Sequence, residues 1–244
     1  MKKWFKWEPG TDTLLAVASD FAMWAIYFAN SHMGAGNGVA RMVVFVILGT
    51  LLLDVVFPAC YVLRVRRDPL SELAITTNRW WVALITSAVL CLMLLPGFKQ
   101  AVASHPDVNV VPHLIYNGIV LWEPFFVFGW LQLRFERAFG IVPGIVLSAI
   151  GIAAYHLGTF PISGVVAMVV FGIVDAIAFR ISRNLLSMFP FTWALASGIG
   201  TLQGGLAFGW DLVALYSIVL AIQVTAIAIM AKAAPSVEPL TTAA

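Results

Sequence analysis

The sequence predicts an all-α fold, a polytopic membrane helix bundle of about eight transmembrane helices with N- and C-termini cytoplasmic, and three observations predict it. Of 244 residues, 61% are hydrophobic and only 11% charged, with a mean hydropathy of +0.94. Soluble domains carry roughly a quarter charged residues, so this chain cannot cover its surface with polar groups. Apolar runs recur along its whole length, and the cations between them fall almost entirely on alternate connections.

Crossing about 30 Å of hydrocarbon takes roughly 20 helical residues. Runs of that order, bounded by charge, Pro or Gly, predict helices over 13–29, 39–63, 80–98, 110–133, 141–157, 162–181, 186–208 and 211–231. The first contains Asp20 and lacks a small-residue cleavage site after it, which argues against a signal peptide ahead of a soluble domain. The second carries Asp54 four residues before Pro58. The third opens on Trp80 and Trp81 beside Arg79, and these indoles, with Trp4 and Trp7, read as interface anchors.

The fourth run holds Glu123 and Pro124; a proline inside a helix gives no N–H to the carbonyl four residues earlier, here Val120, and kinks the chain. Gly140, Gly144 and Ser148 at four-residue spacing predict a close-packing stripe on the fifth. In the sixth, Asp175 stands five residues from Arg180, too far round for an ideal pair. The seventh is the least regular: Pro190 is near its start, and Gly198, Gly200, Gly204, Gly205 and Gly209 interrupt its second half. Its Thr192, Ser197, Thr201 and Gln203 could line a cavity, or its small residues could serve close helix packing.

Lys and Arg accumulate on the cytoplasmic side of membrane proteins. With eight spans and the N-terminus inside, the inner segments hold Lys2, Lys3, Lys6, Arg64, Arg66, Arg67, Arg79, Arg134, Arg137, Arg180, Arg183 and Lys232, and the outer ones only Arg41 and Lys99. This asymmetry predicts that both termini are cytoplasmic, and the chain is expected to be a multi-pass protein of the cell (plasma or inner) membrane. No repeat or composition break divides the chain, so 1–244 reads as a single integral membrane domain, with 235–244 a frayed tail.

Other classes are disfavoured. A net charge of +2 spread over short loops offers no basic stripe for nucleic acid. Cys60 and Cys91 lie inside apolar runs, where a disulfide framework is not expected. Nucleotide-binding glycine loops, serine elbows and cysteine-nucleophile signatures do not occur. His105, Asp107, Asn109 and His113 crowd one outer loop, yet two prolines and the want of a close third strong ligand make a metal site there a weak reading.

Ionisable groups inside a span are costly and mark candidate sites, here Asp20, Asp54, Glu123, His156 and Asp175. Each could equally be a buried group bonded to a neighbouring helix. Glu123 and His156 stand apart because their helices are antiparallel neighbours. From Arg137 in the connecting turn, Glu123 is 14 residues back and His156 is 19 forward, roughly 21 and 28 Å of rise. At similar depth, a carboxyl can act as general base on a water while an imidazole shares the proton. Spacing does not fix whether the two face each other.

From Leu121 onward, Trp-Glu-Pro-Phe-Phe-Val-Phe-Gly-Trp-Leu-Gln-Leu-Arg-Phe-Glu-Arg-Ala-Phe-Gly resembles the first motif of the CPBP family, the CAAX prenyl endopeptidases and bacteriocin-processing or immunity-type membrane proteins. The likeness continues through Leu-Ser-Ala-Ile-Gly-Ile-Ala-Ala-Tyr-His-Leu-Gly and Ile-Ser-Arg-Asn-Leu-Leu-Ser-Met-Phe-Pro-Phe-Thr-Trp-Ala-Leu, covering about 118–205, a third of the chain. The family pattern is Glu-Glu-x-x-x-Arg, then Phe-x-x-x-His, then His-x-x-x-Asn. Glu123 matches the first Glu, held in the family to activate the attacking water, and His156 the first His. Pro124 replaces the second Glu, Phe128 the Arg and Ile152 the Phe, while Trp193 and Ser197 stand where the third motif's His and Asn would be.

The resemblance therefore implies an intramembrane endopeptidase acting on a membrane-tethered peptide or protein substrate, with Glu123 and His156 catalytic. Trp193, Ser197 and Thr192 are then candidates to line the cavity or to donate to an oxyanion. It also implies a divalent metal such as zinc; Glu123 and His156 would be its ligands, two where catalytic zinc normally has three. The missing motif leaves a second implication open, a catalytically silent member that binds a peptide or partner helix as a scaffold or immunity factor. A third reading is a small carrier relaying protons through Asp20, Asp54, Glu123 and Asp175.

Overall fold

The computed structural model describes residues 3–34 and 37–232; the expected frayed tail at 235–244 lies outside them. Helices and their connections make up these residues, with no β-strand among them. Six helices are long and apolar enough to cross a membrane: α1 (Thr11–His32), α2 (Gly38–Val65), α3 (Trp80–Ala103), α4 (Val110–Phe139), α6 (Ile162–Ser182) and α8 (Trp210–Lys232). Two more are shorter, α5 (Ile141–Ala154), 14 residues, and α7 (Phe191–Gln203), 13 residues. The architecture is that of a multi-pass membrane helix bundle.

Local chemistry explains why α5 and α7 fall short of the expected 141–157 and 186–208. Beyond Ala154 the chain turns as the His156 N–H bonds the Ala153 carbonyl at 3.2 Å, and Gly158 adopts φ +82° before Pro161. Residues Leu185–Ser187 form a separate tight turn, Pro190 delays the start of α7, and Gly204 with Gly205 at φ +74° ends it. Wider π-type winding runs through Met42–Val56 of α2 and Phe125–Gln132 of α4. The first precedes Pro58, which lacks the N–H that an i→i−4 ladder needs, and the second begins directly after Pro124.

Polarity is sorted as lipid demands. Large apolar side chains such as Leu14, Leu92, Val170 and Ile218 point outward, whereas buried polar groups bridge helices: Gln223 of α8 donates to the Thr50 carbonyl of α2 at 2.9 Å, and the Trp130 indole of α4 to Ser19 of α1 at 3.0 Å. Helix α4 is the centre, buried at every residue over 120–136, as an all-round apolar helix must be. The Gly140–Gly144–Ser148 stripe lies against its neighbours. A Cβ at Gly144 would come within 2.7 Å of the Glu136 backbone nitrogen, and one at Gly140 within 2.7 Å of the Trp4 carbonyl oxygen.

One end of the bundle gathers four separate segments. Lys6 and Glu8 donate their backbone N–H groups to the end of α4, at Phe139 and Ala138, and Arg137 pairs with Glu72 and Asp12. Asn184 after α6 donates to the Thr76 and Asn78 carbonyls between α2 and α3. These are segments that the cation count predicts on one side of the membrane.

Candidate functional site

Helix α4 is broken where Pro124 predicts a disturbance. Val120 leaves helical geometry with ψ 89°, and helix resumes at Trp122. Pro124 sits in the first turn of the resumed stretch, where a missing N–H costs little. Glu123 occupies the same turn and is buried. Both its oxygens are engaged: the Tyr155 hydroxyl donates to Oε1 at 2.7 Å, and the Trp193 indole N–H to Oε2 at 3.3 Å. A carboxylate has about four acceptor positions, so two donors leave room for a water.

His156 adjoins this group without sharing a hydrogen bond with Glu123. Its Nδ1 lies 2.7 Å from the Ile152 carbonyl; a carbonyl only accepts, so Nδ1 carries the proton, and neutral His156 keeps the Nε2 lone pair free to accept. The imidazole stands against Tyr155 at 4.5 Å and Tyr27 at 4.8 Å between ring centroids, with Phe160 edge-on at 5.1 Å. Tyr155 thus touches both expected partners, the carboxyl through its hydroxyl and the imidazole through its ring.

Among the other expected residues, only Trp193 reaches the carboxyl. Ser197, one turn on, donates to Oδ1 of Asn117 at 2.8 Å, in a knot where Asn117 donates to the His113 carbonyl and His113 Nε2 meets the Gly198 carbonyl at 3.1 Å. Thr192 is spent elsewhere, donating to the Ser187 carbonyl and bonding Ser87 of α3, both at 2.8 Å. It does not join the proposed cavity wall at Glu123, because its side chain leaves α7 toward α3. Arg180 pairs with Glu136 at 3.4 Å rather than with Asp175.

Two further acids lie close to this region. Asp54 is fully buried with neither carboxyl oxygen hydrogen bonded, and Oδ1 of Asp20 is likewise without a partner. Both Asp20 and Glu123 are near enough to Asp54 to interact electrostatically. Asp20 borders Gly151 of α5, where an added Cβ would come within 3.4 Å of its carboxyl. The carrier reading of the sequence named these acids together with Asp175; which of them come near one another depends on helix rotation, which spacing does not fix.

Sequence reasoning passed over Tyr155 and Asn117. The available signal was position: a phenol beside the flagged histidine and an amide six residues before the flagged glutamate. The donor set does not suit a catalytic divalent metal. Glu123 and His156 are the strong ligands present, Trp193 offers only an N–H, and among the described residues no three His, Cys, Asp or Glu side chains gather to hold an ion. His105, Asp107, Asn109 and His113, between α3 and the first turn of α4, are no exception, since Asn109 caps α4 and His113 is buried against α7. Set beside known protein-family models, curated proteins and solved structures, the chain matches none.

Proposed function

We propose that this chain is a CPBP-type intramembrane endopeptidase, crossing the cell (plasma or inner) membrane eight times with both ends cytoplasmic, and that Glu123 activates the water that cleaves a membrane-associated peptide or protein. Glu123 takes a proton from the water as its oxygen attacks the scissile carbonyl, and the proton passes to the departing amine. His156, held by Ile152 as the tautomer with Nε2 free, accepts and returns a proton beside it. Tyr155 and Trp193 orient the carboxylate. The carrying observation is that residues from three helical segments, Glu123 of α4, the Tyr155–His156 turn after α5 and Trp193 of α7, meet around one buried carboxyl.

Glu123→Gln keeps the side-chain shape and removes the base. In proteoliposomes presented with a membrane-tethered peptide library, this variant is expected to fold, insert and lose at least about 100-fold in cleavage, the scale of one general base. Cleavage at the unaltered rate would remove Glu123 from the mechanism.

The second reading, a silent member binding a peptide or partner helix, is favoured by one observation. The residues at the third-motif positions are both already spent, Trp193 on Glu123 and Ser197 on Asn117. On that reading the unaltered chain cleaves nothing in the same library, while Glu123→Gln retains partner capture.

A further inference from the structure

The end of the bundle where the four segments meet holds a pocket of about 690 Å³. Six cations line it: Lys3 and Lys6 from the chain start, Arg79 ahead of α3, Arg137 of α4, and Arg180 and Arg183 at the end of α6. Three carboxylates, Glu8, Glu72 and Glu136, accompany them. Each carboxylate is already shared between two cations. Glu8 takes Lys3 at 3.7 Å and Lys6 at 2.8 Å. Glu136 takes Arg180 at 3.4 Å and Arg183 at 3.3 Å, and Glu72 takes Arg137 together with Arg134. The hydrogen bond from Lys6 holds the Glu8 carboxyl below the usual carboxylate range.

A formal surplus of three positive charges remains in the lining, and it is concentrated. Arg79 makes no ion pair among the described residues and, like Arg183, lies near enough to Arg180 to repel it. Like charges gathered at a cleft focus the field and favour an anion, and guanidinium groups match phosphate with paired N–H donors.

The depth of the pocket suggests where such a phosphate comes from. Trp80 and Trp81 follow Arg79 directly, Trp4 and Trp7 flank Lys6, and all four indoles are exposed. Exposed indoles beside cations sit at headgroup level, and basic pockets between transmembrane helices at that level take anionic headgroups. We propose that this pocket binds the phosphate group of an anionic membrane lipid. The proposal does not depend on the role given to Glu123.

The test uses the full chain in nonionic detergent, titrated with short-chain phosphatidylglycerol or phosphatidylcholine and read by native mass spectrometry. Phosphatidylglycerol is expected to bind at least about tenfold more tightly than phosphatidylcholine, each surplus cation contributing about fivefold. Arg79→Gln should lose about fivefold and the double variant Arg79→Gln, Arg183→Gln about 25-fold. Lys99→Gln, outside the pocket, should lose nothing. Arg79 has no ion pair to break, and an unchanged melting temperature checks that its variant is folded. Equal binding of the two lipids, or unchanged binding by the folded double variant, overturns the site. Inorganic phosphate added at millimolar concentration separates the sources. Displacement of phosphatidylglycerol by it overturns the lipid in favour of a soluble phosphate compound, and retention of the lipid supports the proposal.

Discussion

Tyr155 is the residue on which the arrangement around Glu123 turns, because it alone bonds the carboxyl and also packs on His156. Removing its hydroxyl leaves Oε1 of a buried carboxyl short of a donor, and a lost hydrogen bond to such a group costs about 1 to 3 kcal/mol. Tyr155→Phe is therefore expected to unfold more easily by that amount in detergent and to cleave more slowly, with substrate affinity unchanged; unaltered stability would show that the Tyr155 bond to Glu123 carries no weight. Glu123 and His156 could be read from the sequence because a charge inside an apolar run is expensive wherever it points. Tyr155 had only its place beside His156 as a signal, and a tyrosine near the end of a span is ordinary at a membrane interface. Thr192 misleads for a related reason: adjacent residues on a helix project about 100° apart, so beside Trp193 it faces α3 while Trp193 faces α4.

Among the elements, the hairpin of α4 and α5 sets the site because it fixes the depth of both Glu123 and the Tyr155–His156 turn. The two helices come close at Gly144, where the ideal Cβ position lies 2.5 Å from Cγ and 2.8 Å from Cα of Glu136. Backbone atoms cannot swing aside, so Gly144→Ala must part the two helices. It is expected to cost about 1 to 3 kcal/mol of overpacking, measured by unfolding in mixed micelles, and to reduce activity as Glu123 moves off Tyr155. A change within 0.5 kcal/mol would mean that the hairpin yields at no cost. The four-residue spacing of Gly140, Gly144 and Ser148 made this contact legible. The early end of α5 and late start of α7 were less so. Apolar content continues past Ala154 and begins before Phe191, and the turns there go with the His156 N–H bonding Ala153, Gly158 at φ +82° and Pro190, which hydropathy does not register.

At the scale of the whole molecule, the eight-crossing proposal requires the two short helices, α5 and α7, to cross. Helix α5 rises only about 21 Å, less than the roughly 30 Å of hydrocarbon, so the rest of its path must be irregular chain. Irregular backbone at membrane depth is tolerated when buried in protein, and α5 is enclosed: Gly144 meets α4, Gly151 meets Leu131 and Asp20, and Ala149 and Ile152 meet Gly172 of α6. Lys3, Arg79, Arg137 and Arg183 line one pocket, which agrees with the proposed path in which α5 leaves that end and α6 returns to it, as α3 leaves and α4 returns. Eight crossings predict a definite labelling pattern. With Cys60 and Cys91 replaced by Ala, single cysteines at exposed Asn37, Asp107, Ser163 and Ala207 should react with a membrane-impermeant maleimide on intact cells, and those at Lys3, Asn78 and Lys232 only after permeabilisation. Protection of Ser163→Cys alone would make α5 a re-entrant hairpin on the cytoplasmic side, and labelling of Lys232→Cys from outside would leave an odd number of crossings and separate the two ends of the chain.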